Sequence, residues 1–164
     1  MGVAPEVYSL RSRRSLGVIH ASLRAGAARF GVLVVQTSVQ GNHLHLIVEA
    51  DDAHALSRAM RGLAIRIARG MNRIMQRAGG QVFAERYHTH VLSTPTEVRH
   101  AVHYLRNNRR RHLGDRGVLL PASFIDLRSS DALLASVLPE PTPWVLRVGW
   151  RRVRAKRSRD TVAT

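Results

Sequence analysis

Cysteine is absent from this 164-residue chain, which excludes disulfide bonds and thiolate metal sites. Apolar runs such as GVLVV and HLIVEA are far shorter than the roughly 18 residues that a membrane-spanning helix requires. The opening MGVAPEVYSL lacks the basic and apolar segments of a signal peptide. These absences predict a cytoplasmic protein with no membrane partner, and the length predicts one ordinary domain with a short appendage.

Acidic residues and lysine are also scarce. The 11 Asp and Glu residues stand against 26 Lys and Arg residues, the formal net charge is +15, and Lys156 is the only lysine. Such an arginine excess indicates a polyanionic partner, most simply nucleic acid, because a guanidinium group contacts phosphate through two hydrogen bonds. A nucleoid-associated protein fits this charge. The alternative is that an Ala- and Arg-rich composition reflects a GC-rich genome.

The first part of the chain alternates between strand and helix patterns. Glu6–Arg11 alternates weakly, as a short strand does, and residues 14–31 predict a helix that ends near Gly31. Val32–Val39 and His43–Ala50 are rich in apolar and β-branched residues, and only the tripeptide QGN separates them. A short connection with a glycine is typical of a β-hairpin, so these two segments should pair.

A long amphipathic helix is predicted after the hairpin, with Asp51 and Asp52 as candidate caps. Apolar residues recur there at three- and four-residue steps, and arginines occupy the opposite face. The apolar set is Leu56, Met60, Leu63, Ile67, Met71 and Ile74, and the arginine set is Arg58, Arg61, Arg66, Arg69, Arg73 and Arg77. The arginine face either contacts a DNA backbone or is simply solvated.

The next segments complete the fold prediction. Gln81–Leu92 has the aromatic and β-branched content of a strand. Thr94 as N-cap, Pro95 at the first helical position and Glu97 then form a capping box for a helix that stops near Gly114. The order strand, helix, strand, strand, helix, strand, helix predicts an α+β, ferredoxin-like fold, in which helices cover a four-stranded antiparallel sheet.

His43 and His45 are the first candidates for chemistry. Side chains alternate across a strand, so these histidines point the same way, opposite to Leu44 and Leu46. Two adjacent imidazoles can hold one divalent metal ion. The alternative is that they are ordinary solvent-facing residues, and a second His-x-His in Arg86–His90 shows how little the bare pattern specifies.

The last predicted helix makes the metal interpretation stronger. Tyr104 and Asn108 are four residues apart and therefore share one helix face. They flank an apolar stripe of Val98, Ala101, Val102 and Leu105. If that stripe packs on the sheet, Tyr104 and Asn108 lie along its edge, where they could meet the two histidines.

These pieces together resemble a known family. The strand HLH, the amphipathic helix after it, the segment FAERYH and a helical Tyr with Asn four residues later resemble the single-tyrosine HUH transposases, above all the REP-associated tyrosine transposases and other insertion-sequence-200-like members. The likeness runs from about Val7 to Leu113. Two departures are QGN, where the family usually has Met-Pro-Asn, and Arg109, where a proline often follows the Asn. Neither removes a catalytic group.

The resemblance implies a HUH endonuclease fold and metal-dependent transesterification on single-stranded or hairpin DNA. Tyr104 would be the nucleophile and would form a 5′-phosphotyrosine. His43, His45 and Asn108 would bind Mg²⁺ or Mn²⁺. The transposase domain would span residues 1–114, residues 115–164 would be a C-terminal extension with a basic tail, and the protein would act as a monomer or homodimer.

Two other functions remain open on the sequence alone. One is a domesticated or inactive relative that binds structured single strands without cutting them, and the other is an unrelated metal-dependent phosphoesterase that uses water. Tyr104 discriminates among the three, because only a transposase needs it as a covalent nucleophile. The candidate DNA contacts are Arg58, Arg66, Arg69, Arg73, Arg77, Arg86, Arg109, Arg110 and Arg111.

Overall fold

The structure is a computed structural model that describes residues 1–27, 32–128, 143 and 145–152. In chain order its elements are α1 (Arg13–Ala27), β1 (Val32–Val39), β2 (Leu44–Ala50), α2 (Ala53–Ile74), α3 (Pro95–Gly114), a π-helical turn (Val145–Gly149) and α4 (Trp150–Arg152). The mixed α+β class is confirmed. The predicted helix end near Gly31 and the predicted basic tail beyond residue 152 lie outside the described residues.

The hairpin of β1 and β2 is antiparallel, as predicted. Val32 pairs with Ala50 and Val39 pairs with Leu44, so the QGN tripeptide lies in the connection. The register shifts between Val34 and Gln36, which marks a β-bulge. Val35, inside the bulge, packs with residues of α3, whereas its neighbour Val34 belongs to the main core.

Alternation along β2 sends its side chains to two separate apolar clusters. Leu44 and Leu46 pack on the face covered by α1 and α2, which we call the core face. Ile47 packs on the opposite face, which we call the α3 face. On the core face the partners include Ile19, Leu23, Leu63, Ile67 and Met71, and on the α3 face they are Val98, Val102 and Leu105. Helices therefore cover both sides of the hairpin.

The predicted first strand at Glu6–Arg11 is wrong. The backbone N–H of Val7 donates to the carbonyl of Ala4 at 3.0 Å, which closes a turn with Pro5 at its second position. Proline favours that position because its ring fixes φ near the value the turn needs. Residues 1–4 instead run beside the start of β2, where Gly2 forms an isolated antiparallel bridge with His43.

The predicted strand at Gln81–Leu92 is reduced to one isolated bridge between Phe83 and Val3. Its pairing partner is the short segment of residues 1–4, which turns away at Pro5, so the hydrogen bonding stops after a few residues. Among the described residues the sheet is therefore two-stranded, with two isolated bridges beside it, and the four-stranded ferredoxin-like arrangement is not confirmed.

The helix ends agree with the cap predictions. The carboxylate of Asp52 accepts a hydrogen bond from the N–H of Ala55 at 2.6 Å, at the start of α2. At the start of α3, Thr94 and Glu97 form the full capping box, and α3 ends at Gly114. None of the described helices is both long and apolar enough to cross a membrane.

Candidate active site

His43 and His45 lie on the α3 face. His43 immediately precedes β2, and His45 is the second residue of that strand. Leu44, between them, is only 2 % exposed and lies on the core face, so the predicted alternation holds. The two imidazole rings are stacked side by side, with centroids 6.1 Å apart and planes 16° apart. His43 is exposed and His45 is half-buried. The pair therefore presents two imidazoles on one surface.

Asn42 and Gly2 determine where the His43 ring lies. Oδ1 of Asn42 is 2.9 Å from Nδ1 of His43. The carbonyl oxygen favours the tautomer of His43 that carries its proton on Nδ1, and in that tautomer the lone pair is on Nε2. A Cβ atom on Gly2 would lie 3.1 Å from that Nε2. Glycine thus leaves the room that the imidazole needs on this side.

His45 is held in its neutral form. Burial lowers the pKa of His45 to about 4, and the nearby positive charges of the chain's amino group, His43 and His112 act in the same direction. At neutral pH the ring is therefore uncharged, and an uncharged imidazole is the form that donates a lone pair to a metal ion.

Tyr104 on α3 reaches the histidine pair. Its ring meets the ring of His45 edge-on, with centroids 5.7 Å apart and planes 83° apart. Its helical neighbours Val102 and Leu105 are buried against the sheet, which fixes this turn of α3. The Tyr104 side chain itself is 43 % exposed, so a large ligand can approach it. The structure therefore brings the predicted nucleophile next to one of the predicted metal ligands.

Asn108 lies one helical turn after Tyr104 and is 1 % exposed. In the part of the chain that the structure describes, neither Oδ1 nor Nδ2 of its amide has a hydrogen-bond partner. Burying such a group without a partner costs about 1–3 kcal/mol, and native structures rarely leave it so. Asn108 and Tyr104 line the same groove, so a ligand bound there would supply the missing partner.

The donor set fits a divalent cation that takes its other ligands from phosphate or water. Within the described residues, no group of three or more His, Cys, Asp or Glu side chains could hold a metal ion. The candidates are instead the two stacked imidazoles of His43 and His45 and, in the groove along α3, the amide of Asn108. Imidazole nitrogen and amide oxygen are acceptable ligands for Mn²⁺, and Mg²⁺ prefers oxygen ligands and keeps several waters.

An open groove of about 340 Å³ runs along α3 beside Tyr104. It is lined by His100, His103, Tyr104, Asn107, Asn108 and Arg111. Nδ2 of Asn107 donates to the carbonyl of His103 at 3.0 Å and lies 3.1 Å from the His103 Nε2. Bases stack on imidazole and guanidinium groups, and phosphates pair with guanidinium, so the lining suits a nucleic acid strand.

The candidate DNA-contacting arginines lie in separate places. Those of α2 point away from the core face, on the opposite side of the hairpin from Tyr104; Arg58, Arg69 and Arg73 are exposed there, and Arg66 is partly covered. Arg77 lies beyond the end of α2, and its Nη1 is buried. Arg86 is exposed between α2 and α3. Arg111 lines the groove, Arg109 is partly buried, and Arg110 donates to backbone carbonyls. Of this set the structure brings Arg111 to the groove.

Sequence reasoning missed one buried ion pair near the site. The guanidinium of Arg11 donates to both carboxylate oxygens of Asp126, at 2.6 and 2.9 Å. It also donates to the carbonyl of Val39 at 2.6 Å. The two side chains are 11 % and 3 % exposed. Since they are 115 residues apart, no local pattern could have signalled the pair.

Comparison with known proteins identifies one family. A family model described as "Transposase IS200 like" matches residues 11–108, which is more than half of the chain and includes both histidines, Tyr104 and Asn108. No curated protein and no solved structure matches the chain. The family predicted from the HLH strand and the Tyr104–Asn108 spacing is therefore confirmed.

Proposed function

The chain belongs to the IS200-like transposase family, and we propose on that premise that it cuts and rejoins single-stranded or hairpin DNA through a covalent phosphotyrosine on Tyr104. The observation that carries the proposal is the edge-on contact of Tyr104 with His45, at 5.7 Å between ring centroids. In this contact an exposed phenol, the proposed nucleophile, lies beside a pair of imidazoles. The same proposal includes the four-stranded ferredoxin-like sheet of HUH endonucleases as the fold of the chain.

The reaction exchanges one phosphodiester bond for another. The phenolic oxygen of Tyr104 attacks phosphorus, and the bond from phosphorus to the 3′ oxygen of the neighbouring nucleotide breaks. The phenolic proton leaves to solvent, and the departing oxygen takes up a proton and becomes a free 3′-hydroxyl. Attack by a 3′-hydroxyl on the 5′-phosphotyrosine then rejoins DNA and releases the tyrosine. No external energy source is needed, because the phosphodiester bond is never hydrolysed.

His43, His45 and Asn108 would hold the Mg²⁺ or Mn²⁺ ion. When bound, the cation would act as a Lewis acid and stabilise the negative charge that grows on the phosphate. The chain prepares for it in two ways. The Asn42 carbonyl favours the His43 tautomer whose lone pair is on Nε2, and burial keeps the half-covered ring of His45 neutral. Asn108 would contribute an amide that has no partner among the residues that the structure describes.

The groove along α3 would hold the DNA strand at Tyr104. Arg111 lies in that groove, one turn beyond Asn107, and can pair with a phosphate that flanks the scissile one. The packing of Val102 and Leu105 fixes the turn of α3 that carries Tyr104. Orientation of this kind is itself catalytic, because reacting atoms held in line no longer need to find each other by diffusion.

The direct test is to trap the covalent intermediate. We expect incubation with single-stranded hairpin oligonucleotides and Mn²⁺ to give a protein–DNA adduct on a denaturing gel. Mass spectrometry should place the nucleotide on the peptide that contains HAVHYLR. Tyr104→Phe should remove the adduct, and Tyr8→Phe should retain it, since Tyr8 is similarly exposed, at 51 %, but is not part of the groove.

Three outcomes would contradict the proposed function. An adduct on Tyr8 or Tyr87, or cleavage by Tyr104→Phe at the native rate, would remove Tyr104 from the mechanism. Binding of hairpin DNA without cleavage would identify a domesticated relative. Metal-dependent cleavage that never yields an adduct would identify a phosphoesterase that uses water.

A further inference from the structure

The two halves of α3 are supported differently. In the first half, Val98, Val102 and Leu105 are buried against the sheet. After Leu105 the next buried residue of α3 is Asn108, whose polar side chain has no hydrogen-bond partner among the described residues. Among the described residues, Leu105 is the last side chain of α3 in this apolar cluster, so the turns that follow are supported by other contacts.

Residues 116–128, which follow the C-cap Asp115 and which we call the strap, provide that support. After α3 ends, the N–H of Val118 donates to the carbonyl of Leu113 at 2.9 Å, and the chain folds back along the helix. Arg110 of α3 then donates to three strap carbonyls, those of Leu120 at 2.9 Å, Pro121 at 2.8 Å and Ala122 at 3.2 Å. One guanidinium thus fastens the strap to the second half of α3.

The other end of the strap is fastened to the histidine hairpin. Asp126 forms the buried two-bond pair with Arg11, and it also accepts from the N–H of Arg128 at 3.1 Å. Arg11 in turn donates to the carbonyl of Val39, the last residue of β1. The preceding residue, Leu10, donates its N–H to the carbonyl of Gly41, two residues before His43.

We infer that the Arg11–Asp126 pair closes a clasp that sets the separation between the histidine pair and Tyr104. A continuous path of contacts runs from the hairpin turn through Arg11, Asp126 and the strap to Arg110 on α3. Arg11 and Asp126 are positioning residues, since they act through the elements that carry the reacting groups. The planar fork of arginine suits this role, because lysine offers only a point charge. The inference rests on the proposed function for its catalytic consequence.

Distances between labels test the clasp without any activity. Because the chain has no cysteine, Asp51→Cys and Asp115→Cys introduce two unique sites, both exposed, near the end of the hairpin and at the end of α3. Spin labels there should give one narrow distance distribution, and Asp126→Asn should broaden it. Arg110→Gln should broaden the distribution as well. This second variant decides the test if Asp126→Asn fails to fold, because the described partners of Arg110 are carbonyl groups and its loss leaves no buried charge without a partner. Arg61→Gln on α2 is the control. Unchanged distributions in both strap variants would overturn the clasp.

The rate of adduct formation tests its consequence. In single-turnover reactions we expect Asp126→Asn and Arg110→Gln to slow the reaction by roughly ten- to a hundredfold, the range that a displacement near 1 Å can cause. DNA affinity should stay within about twofold, since neither residue lines the groove. Asp126→Glu should recover part of the rate. Native rates in both variants would show that the strap does not position Tyr104. If the native chain forms no adduct, the proposed function fails and the label distances still decide the clasp.

Discussion

The two faces of the β1–β2 hairpin are made from alternate residues of the same strands, yet they differ in kind. On the core face, Leu44 and Leu46 join a closed apolar cluster with α1 and α2. On the α3 face, the apolar cluster around Ile47 is small, and His45 lies next to Tyr104, with His43 stacked beside it. Alternation separates the two sets completely. Reactive side chains can therefore be placed on one face without opening the core on the other.

The largest effect should come from the histidines. We expect His43→Ala or His45→Ala to reduce metal-dependent cleavage to background while the circular dichroism spectrum stays native, because neither ring belongs to an apolar cluster. Mn²⁺ binding, followed by electron paramagnetic resonance, should weaken in parallel. His88→Ala is the control, since that side chain is 92 % exposed and lies in the other His-x-His pair. Native cleavage by either variant would remove that histidine from the proposed metal site, and an unfolded variant would mean that the two faces are not separate.

Leu44→Ala should show the opposite behaviour. It removes a core-face side chain that is 2 % exposed, between the two histidines. Large-to-small changes at such sites lower the free energy of unfolding by about 2–5 kcal/mol. Urea titration should show that loss, while the fraction that remains folded should still form adduct. If the folded fraction lost its activity too, the core face would contribute directly to the chemistry.

The salt dependence of binding tells on which face the DNA lies. Affinity should fall about tenfold or more between roughly 50 and 200 mM salt if several phosphates are neutralised. Arg111→Gln, in the groove, should weaken binding and reduce the salt slope by about one. Arg73→Gln, exposed on α2 across the hairpin, should change neither. Equal effects of the two changes would mean that DNA contacts both sides of the molecule.

The smallest effect should be at the start of α3. Thr94→Ala removes the hydroxyl that accepts from the N–H of Glu97 at 3.2 Å. Loss of such a cap lowers the free energy of unfolding by about 1 kcal/mol. Thr96→Ala, exposed two residues later inside the helix, should change it by less. Thermal denaturation of the two variants side by side would decide this, and equal midpoints would show that the cap does not limit stability.

Local patterns predicted much of this fold. The directions of His43 and His45 follow from alternation, and the caps at Asp52 and Thr94 follow from side-chain chemistry that acts within four residues. The hairpin was predicted because its connection is short. Each of these features depends on residues that are close in sequence, so sequence is enough to find them.

The errors and omissions involve contacts between distant segments. Glu6–Arg11 was expected to be a strand, yet the Pro5 turn and the bridge from Gly2 to His43 shift the pairing to residues 1–4. The Arg11–Asp126 pair joins segments that no periodicity relates. For the candidate site, the residue types followed from family resemblance, but the contact between Tyr104 and His45 depends on how α3 packs across the hairpin.

The close approach of Gly2 to His43 has a genetic consequence. Every missense change in a glycine codon introduces a Cβ, and a Cβ at this position would lie 3.1 Å from Nε2 of His43, so the ring would have to shift. Gly2 is not part of either apolar cluster. A single point mutation there would therefore displace the imidazole by a few tenths of an ångström. If His43 holds a metal ion as proposed, one nucleotide change would alter that site without changing the core.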